Sequence, residues 1–356
     1  MGVTKTTPSL LEDFHASIQK KDLNKAAELD DQIQEQELNQ IEARKIYLLN
    51  KAEFQLYQQN ISRAKNTISY IEERVEDSDQ YSHYRIKFLK GLQKYFEKDY
   101  HEALYFLKLA KNNMNKISPL ELAAYYYRIA KVYYKLDKIV LSIQCVQMAY
   151  QIYEQNTEYK MMANCYIQLA SSYQEIKRYT DAERYYRLAL EVGSKVNYQQ
   201  LNMKIYLNIG FLYSEQDKPE VAVRYLQQAL ESSDSENSNF HTEIYFLLTK
   251  QLYMLDRIDE GNKWYNSGMD LCKQTNNQEY YCHFRGLKAI YSPDHKKLYD
   301  FESEFINIVD YFMEKKLWYS VREYSELLAT YYQDVEQYEQ ACEYYDLMLF
   351  ARDNLH

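Results

Sequence analysis

An all-α fold is predicted, with a helical bundle at the N-terminus followed by a right-handed superhelix of about seven helical hairpins. Three observations carry this. Residues Ala170, Tyr173, Ala182, Tyr186 and Ala189 recur as Gly210, Tyr213, Ala222, Leu226 and Ala229, at the same mutual spacings and 40 residues further on. A fixed period of this length is the mark of stacked helical hairpins, each burying its faces on its neighbours. The 356 residues include only 7 Gly and 4 Pro, which favours helices joined by short turns and disfavours barrels and phosphate-binding loops. The 40 Tyr are the third observation: on packed helices they fill large positions while the hydroxyl reaches water.

The chain in order supports the division. Residues 1–80 predict the bundle. Ser9 and Glu12 form a capping-box pattern ahead of Leu10, Leu11, Phe14 and Ile18, and further helices are expected over Leu23–Leu38, Gln40–Tyr57 and Ile61–Val75. The acidic string Glu72, Glu73, Glu76, Asp77 and Asp79 reads as a solvated helix end and linker. Residues 81–356 predict the repeat domain, with repeats beginning near Tyr84, Ala123, Ala163, Met203, Thr242, Cys282 and Arg322. Their eighth position holds Gly91, Ala130, Ala170, Gly210, Thr249, Ala289 and Ala329. Their twentieth holds Ala103, Ser142, Ala182, Ala222, Gly261, Phe301 and Ala341. The sixth repeat breaks the small-residue rule with Phe301 and carries Pro293 in SPDHKK, so its hairpin is expected to be distorted.

Composition excludes several classes. A net charge of −9 disfavours nucleic-acid and anionic-membrane partners. The five cysteines lack zinc-finger and redox spacing and read as reduced thiols; with no signal or membrane-spanning segment, a cytoplasmic protein is expected. The seven His show no ligand spacing and no phosphate-binding, dinucleotide or hydrolase motif occurs, so neither metal nor cofactor is expected.

The groove-facing positions of the first helices are the candidate site. Five positions of each first helix share one face. They place Gln168, Ser171 and Glu175 in the third repeat, Lys204, Asn208, Phe211 and Glu215 in the fourth, and Phe246 and Lys250 in the fifth; Arg128 and Lys131 precede them in the second. Amides, both charge signs and aromatic rings suit a short linear peptide. An Asn amide can donate to and accept from one extended backbone unit, which singles out Asn208 in an otherwise apolar run from Leu207 to Leu212.

From about Ser9 to the end, the chain resembles the Rap family, the response regulator aspartate phosphatases of bacilli and related peptide-controlled regulators. The segments KGLQKYFEKDYHEAL, IYLNIGFLYSE and YYQDVEQYEQACEYY carry the likeness. The resemblance implies tetratricopeptide-like repeats whose groove binds a short Phr-like signalling peptide, and a bundle that contacts a response regulator and moves against the repeats. It implies that Asn208, in LNIG, holds the peptide, with Glu175 as an acidic contact.

The departure lies in the bundle. Phosphatase members carry a working Gln in an acidic run, whereas here QELNQIE is followed by Ala43, Arg44 and Lys45. The nearest Gln, Gln40, lies some five residues upstream, which on one continuous helix is about 7 Å along the axis. Water positioning tolerates little displacement. The favoured expectation is therefore a regulator that inhibits a response regulator or other protein by binding, with Gln40-dependent dephosphorylation as the alternative.

Overall fold

A computed structural model of the chain describes residues 7–34, 36, 38, 40–76, 79–114, 117–195, 199–232, 239–291 and 298–354. These residues form eighteen α-helices and no strand, in two compact units, Met1–Val196 and Asn197–His356. The first unit holds α1 (Thr7–Gln19), α2 (Leu23–Gln34), α3 (Ile41–Tyr57), α4 (Ile61–Glu72), α5 (Gln80–Phe96), α6 (Tyr100–Lys111), α7 (Pro119–Lys135), α8 (Ile139–Gln155), α9 (Tyr159–Glu175) and α10 (Tyr179–Gly193). The second holds α11 (Gln199–Glu215), α12 (Pro219–Glu231), α13 (Asn239–Met254), α14 (Ile258–Thr275), α15 (Gln278–Tyr291), α16 (Leu298–Glu314), α17 (Trp318–Asp334) and α18 (Tyr338–Asp353).

One turn geometry joins the two helices of a hairpin. Lys21, Gln59, Lys98, Asp137, Lys177, Asp217, Asp256 and Glu336 all have positive φ, between 53° and 62°. Around Lys177 the bonds are Lys177 N–H to Gln174 O at 2.8 Å and Arg178 N–H to Tyr173 O at 2.9 Å. These two bonds satisfy carbonyls left over at the helix end, the Schellman arrangement. The same pair recurs at Lys21 with Asp22, at Gln59 with Asn60 and at Asp217 with Lys218. Side chains other than glycine accept this backbone throughout, which explains how a chain with 7 Gly makes so many turns.

The small residue expected in the second helix stands five positions after the turn residue: Ala103, Ser142, Ala182, Ala222, Gly261 and Ala341, all buried. Its partner in the first helix is small for a measurable reason. A Cβ on Gly210 would lie 2.7 Å from Leu226 Cγ, and one on Gly91 2.8 Å from Leu107 Cγ. At Phe301 the ring instead stacks on Phe305, with centroids 4.3 Å apart, and meets Tyr331 at 4.9 Å. Pro293 and the rest of SPDHKK lie outside the described residues.

The hairpin frame begins earlier than Tyr84. Lys21 and Gln59 precede Lys98 by two periods and one, respectively, and five residues beyond them stand Ala26 and Ala64, both 0% exposed. The N-terminal helices are thus two further hairpins of the same kind. Their cores pack forward: Leu10, Phe14, Ile18, Leu29 and Ile33 meet Tyr47 and Phe54 of α3, and Leu49, Leu56, Ile68 and Ile71 meet Ile86, Leu89 and Leu92 of α5. Two helices end earlier than expected, α2 at Gln34 rather than Leu38 and α4 at Glu72 rather than Val75. Gln40 also precedes its helix, which starts at Ile41.

A buried polar junction ties α1, α3, α5 and α7. Arg85 Nη2 donates to Glu53 Oε2 at 2.8 Å and to Asn50 Oδ1 at 3.3 Å, and Arg85 Nη1 reaches Glu121 Oε1 at 3.4 Å. Asn50 Oδ1 also lies 2.9 Å from His15 Nδ1, and Tyr81 O–H donates to Glu121 at 2.9 Å. Burial and the Arg85 charge hold the His15 ring below its ordinary value. Burial alone would raise the Glu121 carboxyl, but the Arg85 charge, helped by hydrogen bonds from Ser118 and Tyr81, outweighs it and keeps it low. The acidic string is also more structural than its composition suggests. Glu72 pairs with Lys90 at 2.6 Å, while Asp79 caps α5 through Ser82 N–H at 3.0 Å and pairs with Lys45.

Candidate ligand-binding site

In the first unit, α7 and α9 place equivalent repeat positions side by side: Arg128, Lys131 and Lys135 on α7, and Gln168, Ser171 and Glu175 on α9. Tyr134 O–H bridges the two helices by donating to Glu175 at 3.2 Å. Glu175 is otherwise exposed, as a ligand contact requires. Ser171 is committed to the fold, because its hydroxyl lies 3.2 Å from the buried Tyr186 hydroxyl, which donates to Gln174 at 3.1 Å. Gln168 is only 7% exposed, and its Nε2 has no hydrogen-bond partner among the described residues. A buried amide in that state costs free energy unless something else meets it.

The α7 cations have unusual company. Arg128 is 4% exposed and donates to the Tyr57 hydroxyl at 3.2 Å, with the Tyr95 ring centre 5.0 Å from its guanidinium carbon. Lys131 Nζ lies 5.3 Å from the Tyr95 ring centre and Lys135 Nζ 5.9 Å from that of Tyr134. Cation–π contacts of this kind shelter a charge without neutralising it. Burial, with Arg128 and Lys135 adding repulsion, brings the Lys131 ammonium down to about 7.

The turn of the first hairpin reaches the same two helices. Lys160 Nζ of α9 donates to Lys21 O at 3.1 Å, Lys20 Nζ lies 2.9 Å from Glu158, and Lys21 Nζ sits 5.1 Å from the Tyr127 ring centre on α7.

In the second unit, α11 presents Lys204, Asn208, Phe211 and Glu215. Asn208 is half-buried between the core residues Leu207 and Ile209, and its amide makes no hydrogen bond with a described residue. Phe211 is 41% exposed, high for a side chain of that size. Lys204 and Glu215 are half-buried and exposed, respectively, and both already interact with neighbours. On α13, Phe246 is half-buried in an aromatic cluster, 5.9 Å from Tyr280, 5.7 Å from His283 and 5.6 Å from Phe284. Lys250 faces α17, where its charge acts on the Glu323 carboxyl. Tyr280, His283 and Glu323 were not predicted; they come from α15 and α17, and only the packing of three helices brings them to Phe246 and Lys250.

Gln40 is exposed in extended backbone (φ −89°, ψ 125°) at the N-cap of α3, and its side chain caps nothing. The residues standing where the resemblance expects an acidic Gln run have other tasks. Ala43 packs against the first core cluster, and Lys45 pairs with Glu42 at 2.7 Å and with Asp79.

A tetratricopeptide-repeat family model matches residues 120–195 and 161–235. The chain is 23% identical to regulatory protein RapG of Bacillus subtilis over 352 residues, which covers 95% of this chain and 93% of RapG. It superposes on a Rap protein complexed with competence and sporulation factor with a TM-score of 0.80, over 98% of each chain at 17% identity. For NprR in complex with its cognate peptide NprX the TM-score is 0.74, over 99% of this chain and 100% of that one at 18% identity. Among the described residues no helix is long and apolar enough to cross a membrane.

Proposed function

Because the chain belongs to the Rap family of regulators, we propose that it is a cytoplasmic quorum-sensing regulator that binds a short linear Phr-like peptide and inhibits a response regulator or other regulatory protein by binding it. Residues 81–356 form the peptide-binding domain and residues 1–80 the partner-binding bundle. The peptide contacts are Gln168 and Glu175 in the first unit, with Ser171 as a support, and Asn208, Lys204, Phe211, Glu215, Phe246 and Lys250 in the second.

The observation that carries this reading is Asn208: a half-buried amide, flanked by core residues and with no hydrogen bond to a described residue. An Asn amide at that position can donate to and accept from one backbone unit of an extended ligand. Contacts of the α1–α2 turn with α7 and α9 support a bundle that senses the repeat face. Output by binding rather than dephosphorylation is supported by Lys45, which an ion pair holds where the acidic run would stand, and by Gln40, whose side chain makes no cap hydrogen bond.

Immobilised protein is incubated with a random pentapeptide library and retained peptides are read by mass spectrometry. Asn208→Ala should lose most retained peptides while keeping its melting temperature; equal retention sinks the assignment. Steady phosphate release from phosphorylated response regulators by the parent protein, abolished in Gln40→Ala, would overturn the binding-only output.

A further inference from the structure

Arg128, Lys131 and Lys135 stand at i, i+3 and i+7 of α7, so they share one helix face. The chain as a whole carries nine more acidic than basic residues, yet none of these three cations has a carboxylate within ion-pair distance among the described residues. What surrounds them is aromatic: Tyr57, Tyr95 and Phe96 around Arg128, Tyr95 under Lys131 and Tyr134 under Lys135. The charges acting on Lys131 are its two cationic neighbours. On the neighbouring α9, at the place that Arg128 occupies on α7, the buried Gln168 Nε2 is a donor with no acceptor among the described residues. A cluster of unneutralised cations with an orphan N–H donor is complete only when an anion with several acceptor lone pairs joins it.

We propose that Arg128, Lys131 and Lys135, together with the Gln168 amide, form an anion site that takes a carboxylate of the bound peptide, either its C-terminus or an acidic side chain. This deepens the peptide-binding reading and rests on it. The Arg128 guanidinium, fixed by Tyr57 and stacked on its aromatic walls, gives the site its shape. Lys131 and Lys135 supply the mobile charge. Carboxylate binding favours the charged form of Lys131, because an opposite charge beside it counters the burial, and the repulsion from Arg128 and Lys135, that now depress it.

The site is tested without and with peptide. Trace acetylation with acetic anhydride at neutral pH reads each lysine by mass spectrometry. With its ammonium near 7, Lys131 carries a far larger uncharged fraction than an ordinary lysine and should be modified faster than the exposed Lys108. Sodium acetate at constant ionic strength should slow Lys131 and leave Lys108 unchanged. No protection by acetate, or protection by inorganic phosphate alone, overturns the proposal. The pentapeptide library is then presented as free acids and as C-terminal amides. Lys131→Gln should abolish both the preference for free acids and the enrichment of Asp and Glu, while the retention of neutral, amidated peptides persists. If the parent shows neither preference nor enrichment, the anion site is refuted while the peptide reading stands. If no peptide of either form is retained, the peptide reading fails, and the acetylation result judges the anion site independently.

Discussion

Arg85 of α5 and Glu53 of α3 meet at 2.8 Å with their side chains 2% and 1% exposed, so the first described hairpins join the repeats through a desolvated ion pair. Such a pair contributes little net stability, but removing one partner strands the other charge. Arg85→Met should cost about 3–5 kcal/mol by that argument, with Glu53 and Glu121 left facing each other's charge. Denaturant unfolding followed by circular dichroism checks this. A loss under 1 kcal/mol would mean that water already reaches the junction.

His283 makes stability depend on pH. Burial lowers its ring from 6.5 to about 4, and its Nδ1 lies 2.9 Å from the Tyr324 hydroxyl among the rings of Phe246, Tyr280 and Phe312. The unfolded chain binds the proton first. The contribution is therefore whole above about 6.5 and is lost as pH falls from there to about 4, by at most about 3 kcal/mol. The difference between parent and His283→Phe profiles isolates this group. Parallel profiles over that window would show that the ring is hydrated.

Gly210 is set by packing rather than by backbone freedom. Gly210→Ala drives a Cβ into Leu226, which is 0% exposed and has nowhere to move. Overpacking of this kind costs about 1–3 kcal/mol. Gly210→Ala combined with Leu226→Ala relieves the clash but opens a cavity, so the two changes should be non-additive when midpoints are compared.

At the left-handed turn residues glycine should help. Lys98 has φ 62°, where a Cβ is mildly strained. Lys98→Gly should raise stability by up to about 1 kcal/mol, less the added freedom of the unfolded chain. A drop in melting temperature would show that the lysine side chain itself stabilises the turn.

The period from Tyr84 onward was legible because it depends on residue size: two helices can approach only where both are small, as at Gly91 and Ala103. The two N-terminal hairpins escaped for the same reason. Ala26, Ala52 and Ala64 keep the rule, but Phe14 fills the first small position and hides the earliest copy. Facing was legible at the site, while partnering was not. Spacing put Ser171 and Gln168 on one face, yet Tyr186 engages the first and no described residue accepts from the Nε2 of the second. The neighbours of Phe246 and Lys250 come from helices some 35 to 75 residues away, beyond the reach of any local pattern.

The shared turn makes the chain divisible at regular points. From Lys98 to Asp137 to Lys177 the backbone leaves one helix and enters the next with the same dihedral sign and the same pair of hydrogen bonds. A segment cut from one turn to the next leaves ends that already match. The protein can therefore gain or lose a whole period at a stroke, and its length behaves as a count of interchangeable units.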